Sequence, residues 1–256
     1  MKKLICVFLL LLQFVLIDPL KGIGQNYVSS DSLRGIKETY IGIGGGVSLA
    51  PERLFHSHSN GAWIDYPKTG YTINLNGRLQ ISHYQFGIIL NLGYYSNAFD
   101  INKYLNFNTQ DVGSTVTSLS YSSFTQVTPL IGGSYIHSFG RLSVDLRVLL
   151  GIDFVTLPNT EVDVHASSSN PEYTNTYIYT ATTGFAVGGG ISASYPINRS
   201  LSASVGVNFV LASAHYNTVQ YKDYSLGVNY RYDTFGSTAN LDMMNMSLGL
   251  NYGFGK

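Results

Sequence analysis

The feature that constrains this chain most is an alternation of apolar and polar residues with a period of two. In the segment 142–153, every even-numbered residue is leucine, valine or isoleucine, and the odd-numbered residues include Ser143, Asp145 and Arg147. Successive side chains of a β-strand lie on opposite faces, so this pattern predicts a strand with one apolar face. Helical periodicity is absent, and turn residues separate the alternating stretches. The chain is therefore predicted to be all-β.

Eight segments show the alternation. Five are clear, with apolar faces that begin at Tyr71, Phe86, Leu142, Leu201 and Met244. Three weaker ones cover about residues 39–49, 119–136 and 177–195. Short connections near 82–84, 137–140 and 196–200 alternate with long ones at about 51–69, 96–118, 154–176 and 212–237. This order predicts one antiparallel up-and-down barrel of eight strands.

The placement of the charged residues indicates which face of the strands is outside. Every Lys and Glu lies outside the predicted strands, whereas the polar faces carry Gly, Ser, Thr and Asn with a few Arg and Asp. A soluble barrel would bury its apolar face and show many Lys and Glu to water. Small polar residues instead suit a narrow lumen, and the apolar face then lies against lipid. We therefore predict a transmembrane barrel in the bacterial outer membrane.

The first residues have the composition of an export signal. Lys2 and Lys3 precede an apolar stretch that is shorter than the ~20 residues of a transmembrane helix, and small residues follow it. We expect residues 1–24 to be a signal peptide, residues 25–38 a periplasmic tail and residues 39–256 the barrel. Cys6 is the only cysteine, so no disulfide or thiolate metal site is expected in the mature chain.

Aromatic residues recur at the two ends of the apolar faces. One set consists of Phe86, Tyr135, Tyr195, Tyr252 and Phe254, and the other of Tyr71, Tyr94, Tyr121, Tyr177 and Phe209. Such girdles mark the two membrane–water interfaces. We expect the short turns and both termini to be periplasmic and the long connections to be extracellular.

The chain as a whole resembles the OmpA/OmpX/OmpW-like small outer-membrane β-barrels. The final strand, with Tyr252 and Phe254, is similar to the C-terminal signal read by the barrel-assembly machinery, although Gly255 and Lys256 follow the last aromatic residue. The resemblance implies outer-membrane lipid and, during biogenesis, the assembly machinery as partners. Unlike OmpA, the chain is expected to carry no peptidoglycan-binding domain after the barrel.

Five charged residues are assigned to the lumen: Arg78, Asp145, Arg147, Asp153 and Asp242. An eight-stranded barrel has an interior just wide enough for side chains, so we expect these residues to form a structural plug. A gate or selectivity element is the functional alternative. The glycines assigned to the same side are Gly42, Gly44, Gly46, Gly188 and Gly190, which leave room for larger side chains. Pro129 is expected to cause a bulge or another irregularity in its strand.

Two groups of loop residues are candidate sites. Glu52, His56, His58, His165 and His215 could hold a metal ion if the loops brought them together, but solvated histidines are the simpler interpretation, and we predict neither metal nor cofactor. The fourth long connection carries Tyr216, Tyr221, Tyr224, Tyr230 and Tyr232. Their alternation favours a strand ribbon above the membrane. The tyrosines are either a contact surface for an envelope protein or a glycan, or part of the ribbon packing and the girdle. A ten-stranded barrel would use this ribbon as an extra hairpin.

These observations favour a non-enzymatic outer-membrane protein with a structural or interaction role through its long loops. One alternative is a narrow pore for ions or small apolar molecules. A less favoured alternative is an outer-leaflet enzyme that modifies lipid, because His215 lacks an identifiable nucleophile and His83 and His137 lie at the periplasmic turns. Without residues 1–24 the chain has 12 basic and 14 acidic residues, which gives no electrostatic footprint for nucleic acid.

Overall fold

The computed structural model describes residues 39–50, 67–81, 85–100, 115–165, 173–179, 181–224 and 229–254. The strands in these ranges are β1 Tyr40–Leu49, β2 Pro67–Gln80, β3 Phe86–Phe99, β4 Thr115–Tyr121, β5 Phe124–Phe139, β6 Leu142–Thr156, β7 Thr160–His165, β8 Tyr173–Tyr179, β9 Thr182–Pro196, β10 Leu201–Tyr224, β11 Asn229–Asn240 and β12 Met243–Gly253. Within this part of the chain, no helix is long and apolar enough to cross a membrane.

Eight of the strands form a closed antiparallel barrel. Their order around the wall is β1, β2, β3, β5, β6, β9, β10 and β12, and the barrel closes because β12 pairs with both β10 and β1. The predicted all-β, eight-stranded architecture is therefore confirmed. The ten-stranded alternative is wrong, because β11 pairs with β10 beyond the barrel wall and then leads into β12.

Two barrel strands begin later than the sequence predicts. The segment 119–136 is divided between β4, which ends at Tyr121, and β5, which begins at Phe124. The segment 177–195 is likewise divided between β8, which ends at Tyr179, and β9, which begins at Thr182. The apolar residues keep the same parity on both sides of each break. The register is the same on both sides as well, since β4–β7 continues the β5–β6 ladder and β7–β8 continues the β6–β9 ladder, so alternation alone does not reveal these interruptions.

The two faces of the barrel wall have opposite compositions. The apolar residues lie outside, and Leu79, Leu90 and Leu248 expose 61%, 57% and 70% of their surfaces. The lumen side is rich in buried polar residues, among them Thr72, Asn74, Asn97, Thr128 and Asn245. A continuous exposed apolar band of this extent is the mark of a surface that is not solvated by water. The exterior is therefore the lipid-facing surface of an outer-membrane barrel.

Aromatic rings lie at both ends of the apolar band. At the end with the short turns, exposed rings on the outer face belong to Phe86, Tyr195, Tyr252 and Phe254. At the opposite end, the ring centroids of Tyr71 and Tyr94 are 6.1 Å apart, and Phe209 is exposed nearby on β10. Tyr121 and Tyr177, which were predicted for this girdle, instead belong to β4 and β8, outside the barrel wall.

Pro129 interrupts the strand pairing without a bulge. β5 and β6 keep one register on both sides of it, but Thr128 and Pro129 have no partners in the β5–β6 ladder, although both pair with β3. Proline has no N–H to donate, which accounts for the gap. The hydroxyl of Thr128 donates to Asp153 Oδ1 at 2.8 Å and joins the two strands at this point.

Adjacent glycines test the assignment of the two faces. A Cβ at Gly132, on the lumen side, would collide with the carbonyl oxygen of Val148, whereas a Cβ at Gly133 would meet no atom within 4 Å. We expect Gly132→Ala to lower the free energy of unfolding by about 1–3 kcal/mol, because the strands must separate. Gly133→Ala should change it by less than about 0.5 kcal/mol. Urea unfolding of the folded barrel, followed by circular dichroism, measures both, and equal effects would contradict the assignment.

Candidate functional site

Arg147 organises a buried polar cluster near the short-turn end of the lumen. Its guanidinium lies 3.4 Å from the carboxylate of Asp145 on the same strand and donates to Ser192 Oγ of β9 at 2.6 Å. It also donates to Asn76 Oδ1 of β2 at 3.3 Å, so this side chain crosses the lumen. The hydroxyl of Tyr40, on β1, donates to Asp145 Oδ2 at 3.0 Å. The cluster links four strands of the barrel from within.

Arg78 forms a second connection at the same end. Its Nε donates to Ser134 Oγ of β5 at 2.7 Å, and its terminal nitrogen donates to the carbonyl oxygen of Gln85 at 2.9 Å. Only 2% of its surface is exposed. Arg78 thus joins β2, the start of β3 and β5 through the lumen. A buried guanidinium with several acceptors is stabilised by the charge-assisted bonds that it forms.

Asp153 lies in a separate cluster toward the other end of the lumen. It is fully buried and accepts hydrogen bonds from Gln126 and Thr128. Both donors are neutral, and no Lys or Arg of the described residues pairs with this carboxylate. In the same half of the lumen, Asn245 donates to the hydroxyl of Tyr95 at 3.2 Å.

Apolar side chains close the lumen above these polar groups. The rings of Phe99 and Phe124 stack with centroids 6.2 Å apart. They belong to a cluster of buried residues that also includes Val155, Leu157, Leu241 and Met243. Burial of this apolar surface stabilises the packed lumen. It also places a dry layer between the polar clusters and the outer end of the barrel.

The space between the Arg147 side chain and the small residues on the lumen side of the barrel wall is narrow. A cavity of about 20 Å³ lies there, lined by Arg147, Asn76, Gly44, Gly206, Ser204 and Ser247, among others. This volume accommodates about one water molecule. A Cβ at Gly42 or at Gly190 would collide with the carboxamide oxygen of Asn251 or of Asn208, so both glycines face the lumen as predicted.

The structure brings together only part of the predicted charge set. Asp145 and Arg147 form an ion pair, whereas Arg78 and Asp153 bind neutral groups. Asp242 is not part of the lumen clusters. It lies between β11 and β12, where its neighbours Leu241 and Met243 are the buried residues, because the inward positions of β12 are odd-numbered. The pKa of Asp242 is raised to about 6, because the effect of burial exceeds the opposite effect of a hydrogen bond with the Ala212 backbone.

Three of the long connections add strands that extend the barrel sheet beyond its eight-stranded wall. β4 comes from the second connection, β7 and β8 from the third, and β11 from the fourth, and they join the end of β10 in the order β4, β7, β8, β10, β11. We call these strands, with residues 215–224 of β10, the outer sheet. In bacterial outer-membrane barrels the long connections lie on the extracellular side. The predicted ribbon is thus one part of a larger sheet.

Strand register joins residues of distant connections in the outer sheet. Gln220 of β10 pairs with Tyr232 of β11 and with Tyr177 of β8. Thr160 of β7 pairs with Tyr177 and with Tyr121 of β4. The pairing therefore aligns backbone positions of all five strands.

The histidines that were considered as candidate metal ligands are only partly described. His215 is exposed, and its carbonyl oxygen accepts a hydrogen bond from the hydroxyl of Thr182. His165 pairs with Thr115 at the end of β7. Glu52, His56 and His58 lie outside the described residues, as does His83. In the described part of the chain, no three His, Cys, Asp or Glu residues are grouped as metal ligands.

A closed eight-stranded barrel with an apolar exterior and a packed polar lumen defines a small bacterial outer-membrane β-barrel protein. No protein-family model matches the chain, and no curated protein sequence matches it. Similar folds occur among solved structures. These structures are small outer-membrane barrels, the class that the sequence resembles.

The major outer membrane protein of Thermus thermophilus is one such structure, with 12% identity, a TM-score of 0.44 and coverage of 84% of this chain and 99% of that one. Neisserial surface protein A has 12% identity and a TM-score of 0.42 and covers 85% of this chain and 97% of its own. The outer membrane protease OmpT of Escherichia coli has 10% identity and a TM-score of 0.40, with coverage of 84% and 94%. The class of this protein rests on its own barrel geometry, and these likenesses assign it no role.

Removing one partner of the buried ion pair tests the structural interpretation of the lumen charges. We expect Arg147→Ala to lower the free energy of unfolding by about 3–5 kcal/mol, because it leaves Asp145 buried without its cation. The double variant Arg147→Ala/Asp145→Asn should be more stable than Arg147→Ala, because the unpaired buried charge is removed. Urea unfolding gives the stabilities, and planar-bilayer recording gives the conductance. Unchanged stability together with a new ion-selective conductance in Arg147→Ala would show that the pair is a gate.

Proposed function

We propose that this protein is a non-catalytic binding protein of the outer membrane, in which a sealed barrel anchors an extracellular recognition surface formed by the outer sheet. The observation that carries the proposal is the assembly of three long connections into one five-stranded sheet. Loops that act only as links between strands need no such pairing with one another. Binding residues are commonly found on loops that a rigid scaffold positions.

The packed lumen supports a role outside the barrel. The arginine cluster, the Asp153 cluster and the apolar layer above them occupy successive levels of the interior. Among the described residues, the cavity beside Arg147 has room for about one water molecule, which is too small for a hydrated solute. The lumen groups are proposed to act as a structural plug that holds the wall strands in register.

The composition of the outer sheet supports contact with a partner. Tyrosine presents a large amphipathic ring at a low cost in conformational entropy, which makes it an effective contact residue. We propose an envelope glycan or envelope protein as the partner. We also propose that residues 1–24 are an export signal and residues 25–38 a periplasmic tail. The barrel-assembly machinery would act while the barrel inserts into the outer membrane.

A shortened hairpin tests the proposal without disturbing the barrel. Asn217 and Gly236 are paired across β10 and β11. Deletion of residues 218–235 joins them as Asn-Gly, the preferred two-residue hairpin turn. We expect the shortened chain to fold, as shown by different migration of its boiled and unboiled samples in SDS, and to lose the β10 and β11 parts of the outer sheet.

The comparison uses full-length and shortened chains in lipid vesicles. We expect only the full-length chain to retain binding to purified polysaccharide, lipopolysaccharide or envelope proteins of the host bacterium. Neither chain should give regular single-channel steps. Equal binding by both chains would refute a role for the outer sheet, and regular conductance steps in the full-length chain would favour a pore. A change in lipid A mass that depends on this protein would identify an enzyme instead.

A further inference from the structure

The exposed charged side chains of the described residues differ between the two ends of the barrel. Arg141 and Arg199 lie in short turns at one end and are exposed. The described residues of this end include no exposed Asp or Glu. At the opposite end, Lys68 forms an ion pair with Asp100, and Glu161 is exposed. The short-turn end therefore carries two positive charges that are not part of an ion pair between described residues.

Strand pairing places the two arginines on neighbouring turns. Gly140 and Arg141 form the two-residue turn between β5 and β6, with a φ of 63° at Gly140. Arg199 belongs to the turn between β9 and β10, in which the backbone N–H of Ile197 donates to the carbonyl oxygen of Leu201 at 2.8 Å. Because β6 pairs with β9, the centres of the two turns are two strand spacings apart, about 10 Å. Two arginine side chains are long enough to reach one group that lies between such turns.

The outer face of the wall beside these turns is apolar. Phe139, Leu142, Tyr195 and Ile197 each expose between 42% and 62% of their surface. They lie at the ends of β5, β6 and β9 and at the start of the following turn, and they continue the lipid-facing band to its rim. An arginine can lay its aliphatic stem along such a surface and keep its charged group in the polar region. The rim thus combines a contact surface for acyl chains with two cations at the level of the headgroups.

The chemistry of this rim favours an anionic lipid over other phosphate compounds. A soluble phosphate would meet the two guanidinium groups but would leave the adjoining apolar surface without a partner. A zwitterionic headgroup also carries a cation, and the described residues of this end offer it no exposed carboxylate. A headgroup with net negative charge fits both the apolar surface and the two arginines, because opposite charges on ligand and surface favour association.

We propose that Arg141 and Arg199 bind the headgroup of an anionic phospholipid in the periplasmic leaflet, the side on which short turns of outer-membrane barrels lie. The phosphate lies between the two turns and accepts the charge-assisted hydrogen bonds that guanidinium groups form with phosphate oxygens. The acyl chains lie against the four apolar residues of the rim. This site goes beyond the proposed function and does not depend on the outer sheet.

Lipid binding by the full-length folded chain in a non-ionic detergent tests the site. Native mass spectrometry follows the binding of phosphatidylglycerol, and phosphatidylcholine with the same acyl chains is the zwitterionic comparison. We expect the chain to retain one phosphatidylglycerol at lipid concentrations at which it retains no phosphatidylcholine. Arg141→Gln/Arg199→Gln should weaken phosphatidylglycerol binding about tenfold, because two cations near the headgroup are removed.

Matched variants separate the two turns from the charge of the whole chain. Lys68→Gln removes a cation at the opposite end and should change the affinity less than twofold. Arg141→Lys/Arg199→Lys keeps the charges but not the planar guanidinium groups, and its affinity should lie between those of the unchanged chain and the double glutamine variant. The chain without residues 218–235 should bind phosphatidylglycerol as the full-length chain does. If the double glutamine variant fails to fold, as judged by its migration in SDS before and after heating, Arg141→Gln and Arg199→Gln test the turns singly.

Several results would overturn the site. Equal losses in Lys68→Gln and in the double glutamine variant would show an effect of net charge alone. Unchanged affinity in the double glutamine variant, or equal retention of both lipids by the unchanged chain, would exclude recognition by the two arginines. These outcomes would leave the proposed function intact, since the hairpin deletion tests the outer sheet at the other end of the barrel.

Discussion

Closure of the barrel by β12 is the constraint on which the rest of the structure depends. In lipid, every backbone N–H and C=O must find its partner within the protein, and only a helix or a closed barrel achieves this. Here β12 forms ten residue pairs with β1 on one side and ten with β10 on the other, so the wall has no free edge. Eight strands enclose an interior that side chains fill. Arg147, Tyr40 and Asp145 occupy it at one end, and the Phe99 cluster occupies it at the other.

A filled barrel leaves the connections as the place where the protein can meet other molecules. β10 and the β11–β12 segment continue past the outer rim, and β10 supplies there the edge on which β8, and through it β7 and β4, assemble. The same strand is thus part of the membrane wall at its beginning and part of the outer sheet at its end. The proposed binding surface is thus continuous with the barrel wall through β10.

Alternation in the sequence predicted the barrel wall because lipid and lumen place opposite demands on successive residues of each strand, as Leu248 and Asn245 illustrate. It did not predict the breaks after Tyr121 and Tyr179, since the parity is the same on both sides. Tyr121 and Tyr177 were consequently assigned to an aromatic girdle instead of the outer sheet. Their alignment with Tyr232 depends on pairing between distant connections, and no local pattern encodes that register. Asp242 was assigned to the lumen against the parity of its own strand.

The pairing of β8 with β10 is the most direct test of the central claim that separate connections form one sheet. Thr176 and Tyr221 are directly paired there, and paired positions are close enough for a disulfide. Thr176→Cys/Tyr221→Cys should form an intramolecular disulfide on mild oxidation of the folded chain in membranes, and Thr174→Cys/Tyr221→Cys, shifted by two residues, should not. Equal cross-linking of both pairs, or none in the first, would contradict the outer sheet described here.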